Sequence, residues 1–341
     1  MTKNSKSNAE TNGLAQEEDS YHPVILGVGA WGCQIFGKIS KDENVAKFHT
    51  LVAMDSKPDN LEKSEASVKI HLDADRLIVV EQGLLSVTDY SDVFGEGHQC
   101  FAKADLIFVL VDTHEASLDN FLRCLGVLLS KAVIHRHALT IALLSNTEPS
   151  DDLVFSNAAY VTKHWQPDAY INLNLNKTGN YRYANTNAKN INPDSLFQPY
   201  VDTHTDIIRS ISDPVIHKGL ICVDFADVYS IFSNRGEVYF AIGASSRPDR
   251  ASEAAVMACC IIEGRKDVNS IRKTLKEAGG VFVNIRAAEM DMHEFNQIGD
   301  VIHEFVGAET LVKIVTTVDD SLGNEMVVSV FASDNVIYTQ I

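Results

Sequence analysis

The sequence predicts an α/β protein with a parallel-sheet domain, a long connecting helix and a smaller α+β domain. Residues 104–111 are predicted to form a buried strand, because residues 106–111 are a continuous apolar run. The segment 196–218 carries apolar residues at helical spacing along one side. Beyond it, strand and helix patterns follow in the order βαβαββ, which favours a small mixed sheet with both helices on one face.

The composition restricts the class of protein. A chain of 341 residues has room for about two domains and a substantial core. Residues 1–20 are polar and lack the apolar stretch of a secretory signal, so we expect a disordered tail. The net charge of −17 argues against nucleic acid or an anionic membrane as a direct partner, because both require clustered Lys and Arg. The six cysteines lack metal-ligand spacing, so no metal site is predicted, and reduced thiols are typical of a cytoplasmic protein.

Three glycines lie where the first strand meets the first helix. Residues 22–32 form an apolar strand pattern that runs into Gly27, Gly29 and Gly32. Glycines at such a turn let backbone N–H groups approach a phosphate, and the helix N-terminus adds positive partial charge. The same spacing fits a dinucleotide fingerprint, with Asp55 at the end of the next strand as the ribose-binding acid. A tight turn without a ligand is the third alternative.

A second candidate site is the segment 219–228, with the sequence GLICVDFADV. Asp224 and Asp227 stand at the entrance of a helical pattern, where carboxylates three residues apart project to one side. They can act as a pair on a water molecule or a metal ion. Alternatively, one of them caps the helix that follows.

This segment resembles the synergy loop of FtsZ, the bacterial tubulin homologue of cell division, whose pattern is GL-x-N-x-DFADV. The residues of the pattern are matched here except that Cys222 stands where the family has Asn. In that family the loop enters the nucleotide pocket of the next subunit. The resemblance therefore implies that Asp224 and Asp227 position the attacking water across a subunit interface.

The glycine turn resembles the first phosphate loop of tubulin and FtsZ, in which Gly29, Gly32 and Gln34 have counterparts. Asp55 falls where FtsZ has a second loop that touches nucleotide. The resemblance implies a GTP pocket lined by Gly27, Gly29, Gly32, Gln34, Asp55 and Ser117.

One part of that pocket departs from the family. Residues 114–120 occupy the place of the tubulin signature GGGTGTG and contain no glycine. The signature depends on glycines because they let successive amides point inward and wrap the phosphates. Glu115 and Asp119 also add negative charge there, and Ser117 alone could replace a signature Thr. We therefore predict a degenerate pocket that binds GTP or GDP with Mg²⁺ weakly or not at all.

The predicted long helix resembles the core helix that joins the two FtsZ domains. The family's guanine-contacting Asn falls on Val201, whereas the neighbouring Asp is kept as Asp202. Pro214 lies inside the segment and removes a helix hydrogen bond, so we expect a kink near Asp213 or a second short helix. The expected organisation is a tail (1–20), a nucleotide-binding-fold domain (21–194), the core helix (195–219), and the synergy loop with a C-terminal domain (220–341).

The resemblance and the departure together predict a divergent FtsZ-like cytoskeletal or scaffold protein, a pseudo-GTPase with weak or absent GTP hydrolysis. Its expected partners are itself or a true FtsZ, through longitudinal contacts. No direct membrane binding is expected, because the family's terminal adaptor-binding peptide has no counterpart. The alternative is an active FtsZ-like GTPase that forms filaments in cell division. A remote alternative is an NAD-dependent Rossmann enzyme, which leaves GLICVDFADV unexplained.

Overall fold

The structure, a computed structural model, describes most of the chain between residues 21 and 333. The described residues are 21–72, 96–114, 121–122, 125–126, 128–129, 138–146, 165–173, 197–217, 219–221, 223–264 and 275–333.

The described residues form the following strands and helices, numbered in chain order. They are β1 (Pro23–Val28), α1 (Gly29–Ile39), α2 (Glu43–Phe48), β2 (Thr50–Asp55), α3 (Pro58–Lys63), β3 (Val68–His71), α4 (Glu96–Lys103), β4 (Leu106–Asp112), β5 (Leu139–Ser145), β6 (Ala169–Leu173), α5 (Phe197–Ile216), α6 (Phe225–Phe232), β7 (Gly236–Ser245), α7 (Arg250–Gly264), β8 (Gly280–Ala287), α8 (Met292–Phe305), β9 (Leu311–Val318) and β10 (Met326–Ser333).

The strands form one sheet of ten, in the order β3-β2-β1-β4-β5-β6-β7-β10-β8-β9. The six strands from β3 to β6 are parallel neighbours and make the N-terminal half of the sheet. In the C-terminal half, β10 is antiparallel to β7 and β8, and β9 is parallel to β8. The two halves meet where β6 pairs with β7 over only two residue pairs. The α/β class and the mixed C-terminal sheet are therefore confirmed.

Apolar residues on both faces of the sheet form the core. On one face, Phe108 of β4 packs in a cluster with Phe36 of α1 and Ile207 of α5. On the other, Val109 shares a cluster with Phe101 of α4. In the C-terminal half, α7 and α8 cover the same face, as predicted, and bury a third cluster that includes Val283. The burial of alternate strand residues on opposite faces follows from the period of two along a strand.

The long helix α5 differs from the sequence expectation in one respect. It is a single helix from Phe197 to Ile216, and Pro214 lies within it. The expectation of a second helix after Asp213 is therefore wrong. Pro214 is two residues from the helix end and removes one hydrogen bond, the one that an N–H at this position would give to the Ser210 carbonyl, whereas the His217 N–H still bonds the Asp213 carbonyl oxygen at 2.7 Å.

Two close approaches between a helix and the sheet depend on glycine. A Cβ added at Gly32 would lie 2.5 Å from the carbonyl carbon of Gly27, so α1 can meet β1 only without side chains at these positions. A Cβ at Gly243 in β7 would lie 1.9 Å from the carbonyl oxygen of Ala254 in α7. Both contacts involve backbone atoms, which cannot move as a flexible side chain can.

Substitution of Gly243 by Ala should therefore destabilise the protein by about 1–3 kcal/mol through overpacking. Gly37, in the interior of α1, is the matched control, because a Cβ there has no neighbour within 4 Å. Gly37→Ala should raise the free energy of unfolding by about 0.5–1 kcal/mol, as expected for Gly→Ala inside a helix. Urea denaturation of both variants measures the difference, and equal effects would contradict the packing of α7 on β7.

Candidate functional site

The carboxyl ends of β1, β4 and β5 lie side by side at one edge of the sheet. The register pairs Val28 with Val111 and Asp112 with Ser145, so α1 begins beside the end of β4. Helix α1 starts at Gly29, which has φ of 72°, and its first turn contains no acidic residue. In α/β sheets, ligands bind at this edge, and a helix N-terminus there favours an anion.

The two described amides that follow β4, those of Thr113 and His114, are not open to a phosphate. The Asp112 carboxylate is buried, with 8% of the residue exposed, and its Oδ1 accepts a hydrogen bond from the backbone N–H of His114 at 3.1 Å. The backbone N–H of Thr113 donates to the carbonyl oxygen of Ser145 at 2.9 Å. Both amides that follow the strand are thus bonded within the protein. A buried carboxylate stands next to the position that a phosphate would take.

Asp55 has a structural role. Its two carboxylate oxygens accept hydrogen bonds from the backbone N–H of Lys57 and from the side chain of Asn60, each at 2.8 Å. Asp55 is 3% exposed, and these bonds join the end of β2 to the start of α3. A ribose-binding acid needs an oxygen that faces the ligand, and both oxygens here face α3.

On the side of α5, the site is bordered by a contact between two aromatic side chains. The rings of Trp31 in α1 and Tyr200 in α5 meet edge to face, with 5.4 Å between centroids. The Tyr200 hydroxyl donates to the carbonyl oxygen of Asn146 at the end of β5. Val201 is 4% exposed and belongs to the apolar core, so it offers no polar group to a base.

His204 lies one turn further along α5. Its Nδ1 contacts the carbonyl oxygen of Tyr200 at 2.6 Å, which requires a proton on that nitrogen. Its Nε2 is 3.2 Å from the hydroxyl of Ser145. Burial lowers the pKa of His204 to about 4, so the ring is neutral at pH 7.

The remaining sequence candidates in this region are placed as follows. Gly27 and Gly32 are in the tight contact between β1 and α1, and Gln34 is exposed on α1. Ser117, with Glu115 and Asp119, lies outside the described residues.

The first residues of the segment 219–228 contact β9. Gly219 lies so close to Thr316 that an added Cβ would be 2.0 Å from its carbonyl oxygen, and the Ile221 N–H donates to Thr316 Oγ1 at 3.0 Å. Leu220 between them is 48% exposed. Because Gly219 and Ile221 both contact Thr316, the backbone between them holds the Leu220 side chain at the surface. Leu220 lies near the start of the helix that Asp224 caps.

Asp224 and Asp227 form a capping box at the start of α6. The Asp224 side chain accepts from the Asp227 N–H at 3.0 Å, and the Asp227 side chain faces the Asp224 N–H. Asp227 also accepts a hydrogen bond from Lys313 Nζ at 2.5 Å, which lowers the pKa of the Asp227 carboxyl. Asp224 is exposed and Asp227 is partly exposed. Asp224 is therefore the acid that faces solvent, whereas Asp227 is neutralised by its lysine.

Sequence reasoning missed several residues that shape these sites, namely Asp112, Asn146, Tyr200, His204 and Lys313. Asp112 could have been found, because it is the first polar residue after a continuous apolar strand, as Asp55 is. The contacts of Tyr200 and Lys313 join segments 54 and 86 residues apart, and no local pattern predicts them.

Other kinds of site are not apparent in the part of the chain that the structure describes. No helix there is long and apolar enough to cross a membrane. No group of three or more His, Cys, Asp or Glu residues could hold a metal ion among those same residues.

Comparison with known proteins finds similarity to FtsZ proteins, which covers part of the chain in sequence and nearly all of it in fold. Residues 236–335 match the family model of the FtsZ family, C-terminal domain. The cell division protein FtsZ of Pseudomonas aeruginosa is 34% identical over 135 residues, which are 39% of this chain and 32% of that protein. The corresponding protein of Coxiella burnetii is 32% identical over 154 residues, 44% of this chain and 38% of its own length. The chain thus spans about a third of the length of the curated relatives it matches.

Solved structures agree in fold over nearly the whole chain. An empty FtsZ dimer from M. jannaschii has a TM-score of 0.68 at 16% identity and covers 92% of this chain and 88% of that one. CetZ from Methanosaeta thermophila has a TM-score of 0.61 at 15% identity, with 92% and 87% covered.

If Asp224 acts as a helix cap, Asp224→Ala should lower the free energy of unfolding by about 1 kcal/mol. Asp291 is the matched control, since it is exposed and forms the same capping box with Glu294 at the start of α8. Asp291→Ala should cost a similar amount. Chemical denaturation measures both, and an unchanged stability of the Asp224 variant would exclude a capping contribution.

His204 should make stability pH-dependent. Its folded pKa of about 4 lies below the ordinary 6.5, so the unfolded chain takes up the proton first as the pH falls. Stability should decrease from pH 6.5 to 4, by up to about 1.4 kcal/mol per pH unit for this proton. His204→Asn should flatten the slope. His49, whose pKa burial also lowers to about 4, adds a second such slope that His49→Asn should remove. A slope unchanged by both substitutions would contradict the neutral buried rings.

Proposed function

We propose that this chain, which belongs to the FtsZ/tubulin superfamily, is a divergent FtsZ-like cytoskeletal or scaffold subunit that neither binds nor hydrolyses GTP in the normal way. In this protein the fold and the synergy segment of the family are retained, whereas the residues that bind phosphate are replaced.

The observation that carries the proposal is the state of the two amides after β4. The N–H of His114 is bonded to the Asp112 carboxylate, and the N–H of Thr113 to the Ser145 carbonyl. A phosphate would have to displace these bonds and approach a buried carboxylate. The amides would then bond the phosphate, but the buried Asp112 carboxylate and the Ser145 carbonyl would lose their donors at a cost of about 1–3 kcal/mol each, and the like charge of Asp112 adds to that cost. The absence of glycine in residues 114–120 acts in the same direction.

The neighbouring contacts also disfavour a nucleotide. The ring of Tyr200 packs against Trp31, and Val201 offers no hydrogen bond to a base. Among the described residues, these contacts support a site that does not hold GTP with Mg²⁺. The NAD alternative is weakened in turn by Asp55, whose oxygens both bind the start of α3.

The surface that we propose to be retained from FtsZ is the one formed by GLICVDFADV. The Ile221 N–H of this segment bonds Thr316 of β9, Asp224 faces solvent, and Leu220 is exposed. These features support docking on a second copy of this chain or on a true FtsZ. One relative is named a cell division protein, and one solved structure is named an FtsZ dimer. These names support self-association of this chain. A subunit with one usable end would cap or modulate filaments.

The second candidate function is an active FtsZ-like GTPase. It is favoured by α1, whose N-terminus at Gly29 has no acid in its first turn and keeps the polarity that attracts a phosphate. In that case Asp224 is the acid available to a neighbouring subunit, since Lys313 engages Asp227.

Calorimetric titration of nucleotide-stripped protein with GTP, GDP and NAD, each with Mg²⁺, distinguishes these functions. We expect no heat of binding from any of the three, whereas P. aeruginosa FtsZ under the same conditions serves as the positive control. Micromolar or tighter GTP binding would restore the GTPase function, and Asp224→Ala should then abolish turnover without unfolding the protein. Binding of NAD alone would overturn the FtsZ-like function.

Mixing the protein with P. aeruginosa FtsZ and GTP tests the partner. If this chain caps filaments, sedimented polymer should decrease at substoichiometric ratios, and Leu220→Ser should reduce that effect. Nucleotide-independent sedimentation of this chain alone would indicate self-assembly instead. No change in either assay would contradict both modes of docking.

A further inference from the structure

The two halves of the molecule are joined by a narrow backbone connection. In the sheet, β6 and β7 share only the pairs Ala169–Gly236 and Tyr170–Glu237, whereas β10 pairs with β8 over eight. The amides of Arg235 and Gly236 both donate to the Asp168 carbonyl oxygen, at 2.8 and 3.0 Å. A connection of this width can act as a pivot, so side-chain contacts elsewhere must fix the orientation of the halves.

Helix α5 lies between the halves and contacts each through polar side chains. Towards the C-terminal half, Asp206 pairs with the buried Arg286 at 2.6 Å, and Ser210 bonds Ser329 at 2.9 Å. Towards the N-terminal half, Ser212 bonds His49 at 3.0 Å. Polar contacts depend on direction as well as distance, and they specify a geometry more strictly than apolar packing does.

Arg209 of α5 reaches both halves at once. Its guanidinium contacts three aspartates: Asp213 on the same helix at 2.9 Å, Asp319 after β9 at 3.0 Å, and Asp42 before α2 at 3.5 Å. The Arg209 side chain is only 13% exposed. A planar guanidinium with five donors can hold several carboxylates in one fixed arrangement, which a lysine cannot.

Asp42 and Asp319 also accept hydrogen bonds from backbone N–H groups close to them in the chain. Asp42 Oδ1 caps α2 through the N–H groups of Asn44 and Val45, while Oδ2 meets Arg209. Asp319 Oδ1 accepts from the Ser321 N–H, while Oδ2 meets Arg209. A shift of either half relative to α5 therefore strains a backbone segment as well as an ion pair.

We propose that Arg209 is a clasp that fixes the orientation of the C-terminal half relative to the N-terminal half in the unliganded protein. The clasp comprises Arg209, Asp42, Asp213 and Asp319. When it opens, the halves move about the pivot at Asp168 and the β6–β7 pairs. The inference rests on these contacts alone and does not depend on whether the chain binds a nucleotide.

Hydrogen exchange of the full-length chain, measured by mass spectrometry or NMR, tests the clasp. In Arg209→Ala, the amides of Arg235 and Gly236 at the pivot should exchange at least about tenfold faster, since the restraint on local opening is removed. The amides of Ser321 and of residues 44–45 should also exchange faster. Strand β4, deep in the N-terminal half, should keep its protection. Arg209→Lys should give an intermediate effect at the pivot, since one ammonium cannot hold three carboxylates.

Arg250 provides a matched control. Its side chain is similarly shielded and binds Glu294 at 2.7 Å and the Asn324 carbonyl oxygen at 2.9 Å, all within the C-terminal half. Arg250→Ala should alter exchange in α7 and α8 and leave the pivot unchanged. Equal acceleration at the pivot in both variants would mean general destabilisation and would overturn the clasp.

A second variant keeps the test valid if Arg209→Ala fails to fold. Asp319→Asn retains an Oδ1 acceptor for Ser321 and replaces the charged oxygen that faces Arg209 with an amide nitrogen, which cannot accept a hydrogen bond from the guanidinium. It should accelerate exchange at Arg235 and Gly236 severalfold. Unchanged exchange at the pivot in folded Arg209→Ala, or in Asp319→Asn if the former does not fold, would show that Arg209 acts only locally.

Discussion

The polar contacts of helix α5 are the constraint on which the rest of the structure depends. One helix of 20 residues packs apolar side chains such as Ile207 and Ile211 into the core and places charged and hydroxyl groups against both halves. A buried ion pair adds little net stability, because desolvation offsets most of the attraction. Its strength lies in specificity, since in any other alignment Arg286 would be left as a buried unpaired charge and Arg209 would keep only Asp213 of its own helix. The helix thus determines how the halves meet more than how stable each half is.

A binding site at the end of a strand can be lost without loss of the fold. Amides at the carboxyl end of a parallel strand need partners whether or not a ligand is present. In a phosphate loop the ligand is that partner. Here the Asp112 carboxylate and the Ser145 carbonyl bond the amides of His114 and Thr113, so these two amides are satisfied within the protein. A carboxylate is the natural replacement for a phosphate, because it carries the charge that a helix N-terminus and exposed amides attract.

Much of the fold could be predicted from the sequence, because its signals are local. The apolar run 106–111, the glycine turn at Gly27 to Gly32 and the helix spacing of 196–218 each predict one element, and their order predicts the class. The site could be predicted only in part. Gly219 and Asp224 belong to a motif that the sequence shows directly. Lys313, however, lies 86 residues from Asp227, and no periodic pattern predicts a contact over that separation. Pro214 does not divide the helix, because it lies two residues before the end at Ile216 and removes one hydrogen bond there.

The segment GLICVDFADV shows why a matching motif does not decide function by itself. Asp224 and Asp227 cap α6, Asp227 neutralises Lys313, and Gly219 permits the contact with Thr316. Each of these roles belongs to the stability of one subunit and would preserve the residues in a protein with no hydrolytic activity. Among the described residues of this segment, the exposed apolar side chain of Leu220 has no part in these roles. An apolar side chain held at the surface beside the exposed cap Asp224 supports the proposal that a partner docks there, and hydrolysis would in addition require a phosphate site.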